Sequence, residues 1–116
     1  MFADPQTVTI DSVAQVMPRV LTDGTKSIYQ LADKSYKLTI SDAVSNDRHR
    51  SMVRIDHRDI VEDPLTTVND YGTVSFYCVI DRPEYGFTTA QIQLIIAGLK
   101  TWLDNTAIAK MIGSET

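Results

Sequence analysis

An α+β fold, an antiparallel sheet followed by two C-terminal helices, is the class this sequence predicts, and three observations predict it. Apolar and polar residues alternate through 36–41, 48–60 and 73–80, the two-residue period of half-buried strands. Turn formers divide these runs at short intervals, as in Thr22-Asp23-Gly24 and Ser45-Asn46-Asp47. After Gly86 the apolar period changes to three and four residues, which belongs to a helix.

Taken in order, residues 6–10 alternate Val8 and Ile10 with Thr7 and Thr9, and 15–21 resumes extended character before the turn at Gly24, so these two segments predict an N-terminal hairpin. Residues 27–31 form the next candidate strand. In 35–41, Tyr36, Leu38 and Ile40 oppose Lys37, Thr39 and Ser41. A turn over 42–47 leads into 48–60, where Ser51, Val53, Ile55 and His57 take one face and Arg48, Arg50, Met52, Arg54, Asp56 and Arg58 the other. Residues 62–72, with Pro64, Asn69, Asp70 and Gly72, predict a loop, and 73–80 the last strand. Thr88 and Gln91 have the spacing of a capping box for a helix whose stripe is Ile92, Ile95, Ile96, Leu99, Trp102 and Leu103; Asp104-Asn105 interrupts it, and a second helix follows over 106–112. One such helix is too short to cover the oily face of the sheet, and a second subunit could supply the missing cover.

With 116 residues the chain fits one domain, and 43% hydrophobic and 22% charged residues exclude a disordered or collagen-like protein. The lone cysteine, Cys78, cannot form an intrachain disulfide and shares the parity of Val74, Phe76 and Ile80, so it is expected in the core. No signal segment or membrane-length apolar stretch is visible, which predicts a protein made in the cytoplasm.

Dispersed glycines form no nucleotide-binding loop, and two histidines with one cysteine are too few for a structural zinc site, so neither cofactor nor metal is expected. His57 is expected as a hydrogen-bonded residue at the end of the core face. The carboxylates of Asp56, Asp59, Glu62 and Asp63 could bind a cation or act as acid and base, but alternating faces separate them and a solvated strand end is the simpler reading. A small hydrolase using His57 with Asp59 or Glu62 would need a pocket that the sequence does not locate.

The arginines stand apart. The formal net charge is −4, yet Arg48, Arg50, Arg54 and Arg58 fall within eleven residues while the 15 acidic residues are scattered. Alternate strand residues lie ~6.6 Å apart, a spacing that can track a nucleic-acid backbone. The same four could instead solubilise the sheet or pair with Asp56. Lys37, Thr39 and Ser41, and Thr73, Ser75 and Tyr77, have the parity to share their face. Such a surface could grip RNA phosphates, stack a base on Tyr77 and pocket extruded bases among hydroxyls.

Two stretches resemble the coat proteins of single-stranded RNA bacteriophages of the levivirus type: Tyr36-Lys37-Leu38-Thr39-Ile40-Ser41 is similar to the family's Tyr-Lys-Val-Thr-Cys-Ser strand, and Arg50-Ser51-Met52-Val53-Arg54-Ile55-Asp56 to its Lys-Tyr-Thr-Ile-Lys-Val-Glu strand. The capped helix with Gly98-Leu99 and the run Ala107-Ile108-Ala109-Lys110-Met111-Ile112-Gly113 are similar to its two C-terminal helices. The resemblance implies one domain over 1–116, with a hairpin in 1–24, a sheet of about five strands in 25–81 and helices in 88–113. It also implies an interlocked homodimer whose sheets join edge to edge, with each subunit's helices packed across its partner. The implied function is non-enzymatic: an icosahedral shell that packages the RNA genome, and binding of a stem-loop at the replicase start to repress translation. Lys37, Thr39, Ser41, Arg50, Met52, Arg54 and Asp56 would contact or border RNA, Arg48 and Arg58 would add phosphate contacts by parity, and Thr73, Ser75 and Tyr77 would complete the face. The 62–72 loop would line shell symmetry axes. Met52 stands where that pattern has threonine, a departure from the family's hydroxyl-lined adenine pocket. The other reading of the same features is a cellular dimeric regulator that binds nucleic acid without forming a shell.

Overall fold

Short reversals between alternating strands build the sheet. The computed structural model describes residues 2–66 and 68–115. Strands β1 (Gln6–Ile10) and β2 (Val13–Met17) form a hairpin because Asp11 and Ser12 both take left-handed backbone, φ 51° and 64°, the two-residue reversal whose twist suits antiparallel neighbours. Pro18 ends this hairpin. The single strand predicted over 15–21 is therefore divided: its second half, β3 (Arg19–Asp23), leaves β2, turns at Gly24 (φ 35°) and pairs with β4 (Lys26–Gln30). Proline offers no N–H to a ladder, and the Pro18 carbonyl instead accepts from the Gln30 N–H at 3.0 Å.

Strands β5 (Tyr36–Ser45), β6 (Arg48–Glu62) and β7 (Asn69–Pro83) complete a five-stranded sheet of order β3-β4-β5-β6-β7. Two predicted turns are shorter than expected. Of residues 42–47, only Asn46 and Asp47 turn, both left-handed (φ 49° and 63°), which lets β5 run on to Ser45. Of the predicted 62–72 loop, both ends belong to strands, and Thr67 lies outside the described residues. Gly72 is a strand residue here: a Cβ on it would stand 2.9 Å from Val61 Cγ2, so glycine serves close approach and not a turn.

The register Tyr29↔Leu38↔Ile55 sets one row of side chains across β4, β5 and β6 on the apolar face. The hairpin closes over it. Met17, Tyr29 and Leu38 are buried there, with Val8, Leu31, Tyr36, Ile40 and Ile55 packed around them. The Tyr29 hydroxyl is not stranded in this core, since Arg19 donates to it at 3.1 Å. His57 stacks on Tyr36 with ring centroids 4.4 Å apart, and its Nδ1 lies 3.1 Å from the Ser35 carbonyl, the end-of-core position expected for it. Toward β7 the side chains of the same face, Val53, Val74 and Phe76, are exposed. Cys78 is exposed with them, against the expectation of a core residue: its parity is right, but parity fixes the face and not its burial.

The chain divides into two compact units, Met1–Arg82 and Pro83–Thr116. The second holds α1 (Thr89–Trp102) and α2 (Asn105–Ile112). Both halves of the capping box form: Thr88 Oγ1 accepts from the Gln91 N–H at 3.2 Å, and Gln91 Oε1 from the Thr88 N–H at 3.0 Å. Asp104 caps α2 by accepting from the Ala107 N–H at 2.9 Å, which starts that helix one residue earlier than predicted. Ile95, Leu99 and Trp102 of the α1 stripe are exposed. Among the described residues no helix is long and apolar enough to cross a membrane.

Candidate nucleic-acid interface

The face of the sheet turned away from the core gathers nearly all the residues singled out in the sequence. Its pairs are Lys37↔Asp56, Thr39↔Arg54 and Ser41↔Met52 between β5 and β6, and Lys26↔Ser41, Ile28↔Thr39 and Gln30↔Lys37 between β4 and β5. Because strand side chains alternate, each partner of these pairs stands on the same side. Together they line a shallow concavity of about 430 Å³, large enough for a nucleotide, which Arg58 and Thr73 also border. Thr39 and Asp56 are buried in its floor.

Charge is concentrated here. The concavity is lined by five cationic side chains, Lys26, Lys34, Lys37, Arg54 and Arg58, against the single carboxylate of Asp56, in a chain whose formal net charge is −4. Among the described residues, ion pairs join Arg48 to Asp81 at 2.9 Å and Arg54 to Asp56 at 2.9 Å; Lys26, Lys34, Lys37, Arg50 and Arg58 form none. Cations left unpaired on one surface attract a polyanion.

Asp56 is the organising acid. Ser75 Oγ donates to the carboxylate oxygen that also accepts from Arg54 Nε at 2.9 Å, and Arg54 reaches on to Ser75 Oγ at 3.2 Å. Burial pushes the Asp56 carboxyl up, but the hydrogen bonds from Ser75 and Arg54 and the charges of Arg54 and Lys37 together overturn this and hold it below the ordinary carboxylate value. It therefore stays ionised at neutral pH and fixes the Arg54 guanidinium. That guanidinium also lies 5.9 Å from the ring of Tyr77, while Arg58 sits over Tyr71 at 3.9 Å.

Of the residues named from sequence, Lys37, Thr39, Ser41, Met52, Arg54, Asp56, Arg58 and Thr73 line the concavity, and Ser75 and Tyr77 join it through Arg54. Arg48 and Arg50 stand farther along β6, opposite Ser45 and Ala43, with Arg48 held by Asp81. Sequence reasoning missed Lys26, Ile28, Gln30 and Lys34, although 26, 28 and 30 carry an alternation that could have placed them. It also missed Tyr71, whose neighbours Asn69, Asp70 and Gly72 look like a loop.

A sequence profile described as "Phage phiCb5, coat protein" matches residues 3–83, the stretch that holds both hairpin strands and the whole five-stranded sheet. The chain belongs to the phage phiCb5 coat protein family. The coat-protein fold extends through the helices: the virus-like particle of bacteriophage AVE019 superposes with a TM-score of 0.79 at 10% identity, over 100% of this chain and 98% of that one. The virus-like particle of Beihai levi-like virus 21 gives 0.72 at 10% identity over the same shares, and the bacteriophage EMS014 coat protein gives 0.66 at 14% identity over 86% of this chain and 72% of that one. No curated protein matches by sequence. The coat protein is thus a structural protein of the virion and not an enzyme, and the levivirus-type resemblance of its strands is borne out.

Proposed function

We propose that this coat protein assembles as homodimers into an icosahedral shell around a single-stranded RNA genome, in the host bacterial cytoplasm, and that the same sheet face binds an RNA stem-loop to repress replicase translation. The observation that carries this reading is the concave face itself: Lys26, Lys34, Lys37 and Arg58, without ion pairs among the described residues, and Arg54, held by Asp56, surround a floor of hydroxyls, with Tyr71 and Tyr77 at its β7 side. Arginine and lysine grip phosphates without regard to sequence, hydroxyls and Asp56 offer partners to bases and to the ribose 2′-OH, and exposed tyrosines stack on bases freed from a helix.

The dimer is supported by what one chain leaves bare. The β7 end of the apolar face and the α1 stripe both expose large side chains, with Phe76 51% and Trp102 63% exposed. Burying such a side chain fully contributes about 1.5–3 kcal/mol, so mutual cover between two copies is strongly favoured. Strand β7, at the sheet edge, offers its free backbone to a second β7.

The test is expression of the chain in bacteria, with electron microscopy of the soluble fraction and assay of nuclease-protected RNA in it. Uniform RNA-filled particles are expected; small RNA-free species under every assembly condition would overturn the proposal. Arg54→Ala is expected to weaken stem-loop binding and flatten its salt dependence by about 0.7–0.9 in log–log slope while particles still form.

A further inference from the structure

The β4 side of the concavity carries a second row of cations that neither the strand motifs nor the arginine cluster announces. Lys26 faces Ser41 across the β4–β5 ladder, and Gln30 faces Lys37. Lys34 comes from the connection that follows β4, where its backbone is left-handed (φ 64°) and its N–H donates to the Leu31 carbonyl at 3.0 Å. Both lysines are exposed and both line the concavity. The nearest acid in sequence to Lys34 is occupied elsewhere: Asp33 Oδ1 accepts from the Ser35 N–H at 2.9 Å and from the Ser35 hydroxyl at 2.7 Å.

Resting on the RNA-binding reading above, we infer that Lys26 and Lys34 form a phosphate-binding bank opposite Arg54 and Arg58, so that a single RNA strand is held from both sides of the groove. Strands β4 and β6 are two spacings apart, about 10 Å, which puts the two banks on either side of one nucleotide's width. Between them the floor is mixed. Thr39 and Ser41 present hydroxyls, whereas Ile28 and Met52 present apolar walls against which a base can lie. Cations on a single side would steer an RNA strand toward the sheet but leave it free to slide outward. A bank on each side fixes the backbone over the floor and sets which base enters. Gln30, between the two lysines, has an amide that both donates and accepts, and it is placed to meet that base's edge.

The experiment measures binding of a fluorescein-labelled RNA stem-loop of about 20 nucleotides to the unassembled coat protein at several salt concentrations. Parent, Lys26→Ala/Lys34→Ala, Arg54→Ala and the charge-matched control Lys100→Ala/Lys110→Ala are compared. Each phosphate contact contributes about 0.7–0.9 to the log–log salt slope, so the Lys26/Lys34 variant is expected to lose about 1.5 in slope and about 30-fold in affinity at 0.1 M salt. The control, whose lysines lie on α1 and α2, is expected to keep the parent's slope. If Arg54→Ala flattens the slope and the Lys26/Lys34 variant does not, the second bank is wrong while the RNA-binding face stands. If the control falls as far as the Lys26/Lys34 variant, the effect is one of total charge and the bank is again refuted. A parent that binds with no salt dependence would overturn the RNA-binding reading itself. The lysines are surface residues, and an unchanged circular dichroism spectrum shows that the variants are folded.

Discussion

Replacing Asp56 by asparagine separates the charge of this group from its shape. The side chain is only 12% exposed, it accepts from Ser75 and from Arg54, and Lys37 stands opposite it in the register. A hydrogen bond to an ionised group contributes about 1.5–3 kcal/mol, but the Arg54 partner is 44% exposed, so solvent screens its share. Asparagine keeps an oxygen for Ser75 and loses the charge. The expected cost is about 1–2 kcal/mol at pH 7, which for a protein of this size is a fall of roughly 1 M in the urea midpoint. Because the folded Asp56 titrates below its ordinary value, its ionised form stabilises the fold at all pH above about 4, and that contribution disappears as pH falls through the folded value. Parent and variant, measured RNA-free at one protein concentration, should therefore differ at pH 7, and the gap should narrow as pH falls below the ordinary carboxylate value and through the lower folded one. A gap that stays the same size down to the acid limit of the folded state would refute the electrostatic account and leave packing as the cause.

Two other substitutions test the packing. Met17→Ala removes the hairpin's fully buried contribution to the core and should destabilise the fold by about 2–5 kcal/mol, read as a lower thermal midpoint; a loss under 1 kcal/mol would mean that the hairpin does not seal the core. Trp102→Ala should leave helix content unchanged by circular dichroism yet raise the concentration needed for particles, since this exposed ring would be buried in the proposed subunit contact. Particles appearing at the parent's threshold would show that Trp102 lies outside the subunit contact.

Alternation made most of the site legible from sequence. It put Lys37, Thr39 and Ser41 on the same side as Arg54 and Asp56, and the register sets them opposite Asp56, Arg54 and Met52 in turn. It failed where a residue's usual habit hides its local role. Gly72 looks like a loop glycine, yet it is a strand residue pressed against Val61, and the loop assignment concealed Tyr71 beside it. Asn46 and Asp47 are strong turn formers, but nothing in their identity says that two residues suffice and that β5 continues to Ser45. Lys26 and Gln30 alternate too, but the apolar Ile28 stands between them and interrupts the polar pattern of that face. Cys78 shows the limit of parity: it names the face and not what covers it.

The edge position of β7 has a consequence for how the chain must be made. From Tyr71 to Ile80 this fifteen-residue strand carries no charged side chain, so it lacks the usual guard against indiscriminate strand pairing. In the proposed dimer, correct pairing joins two chains, while amorphous growth recruits many, so the second process would gain faster as nascent protein accumulates. Yield of soluble coat protein should then depend on the pace of translation more than on the total amount translated, and slow synthesis at low temperature should favour the paired product.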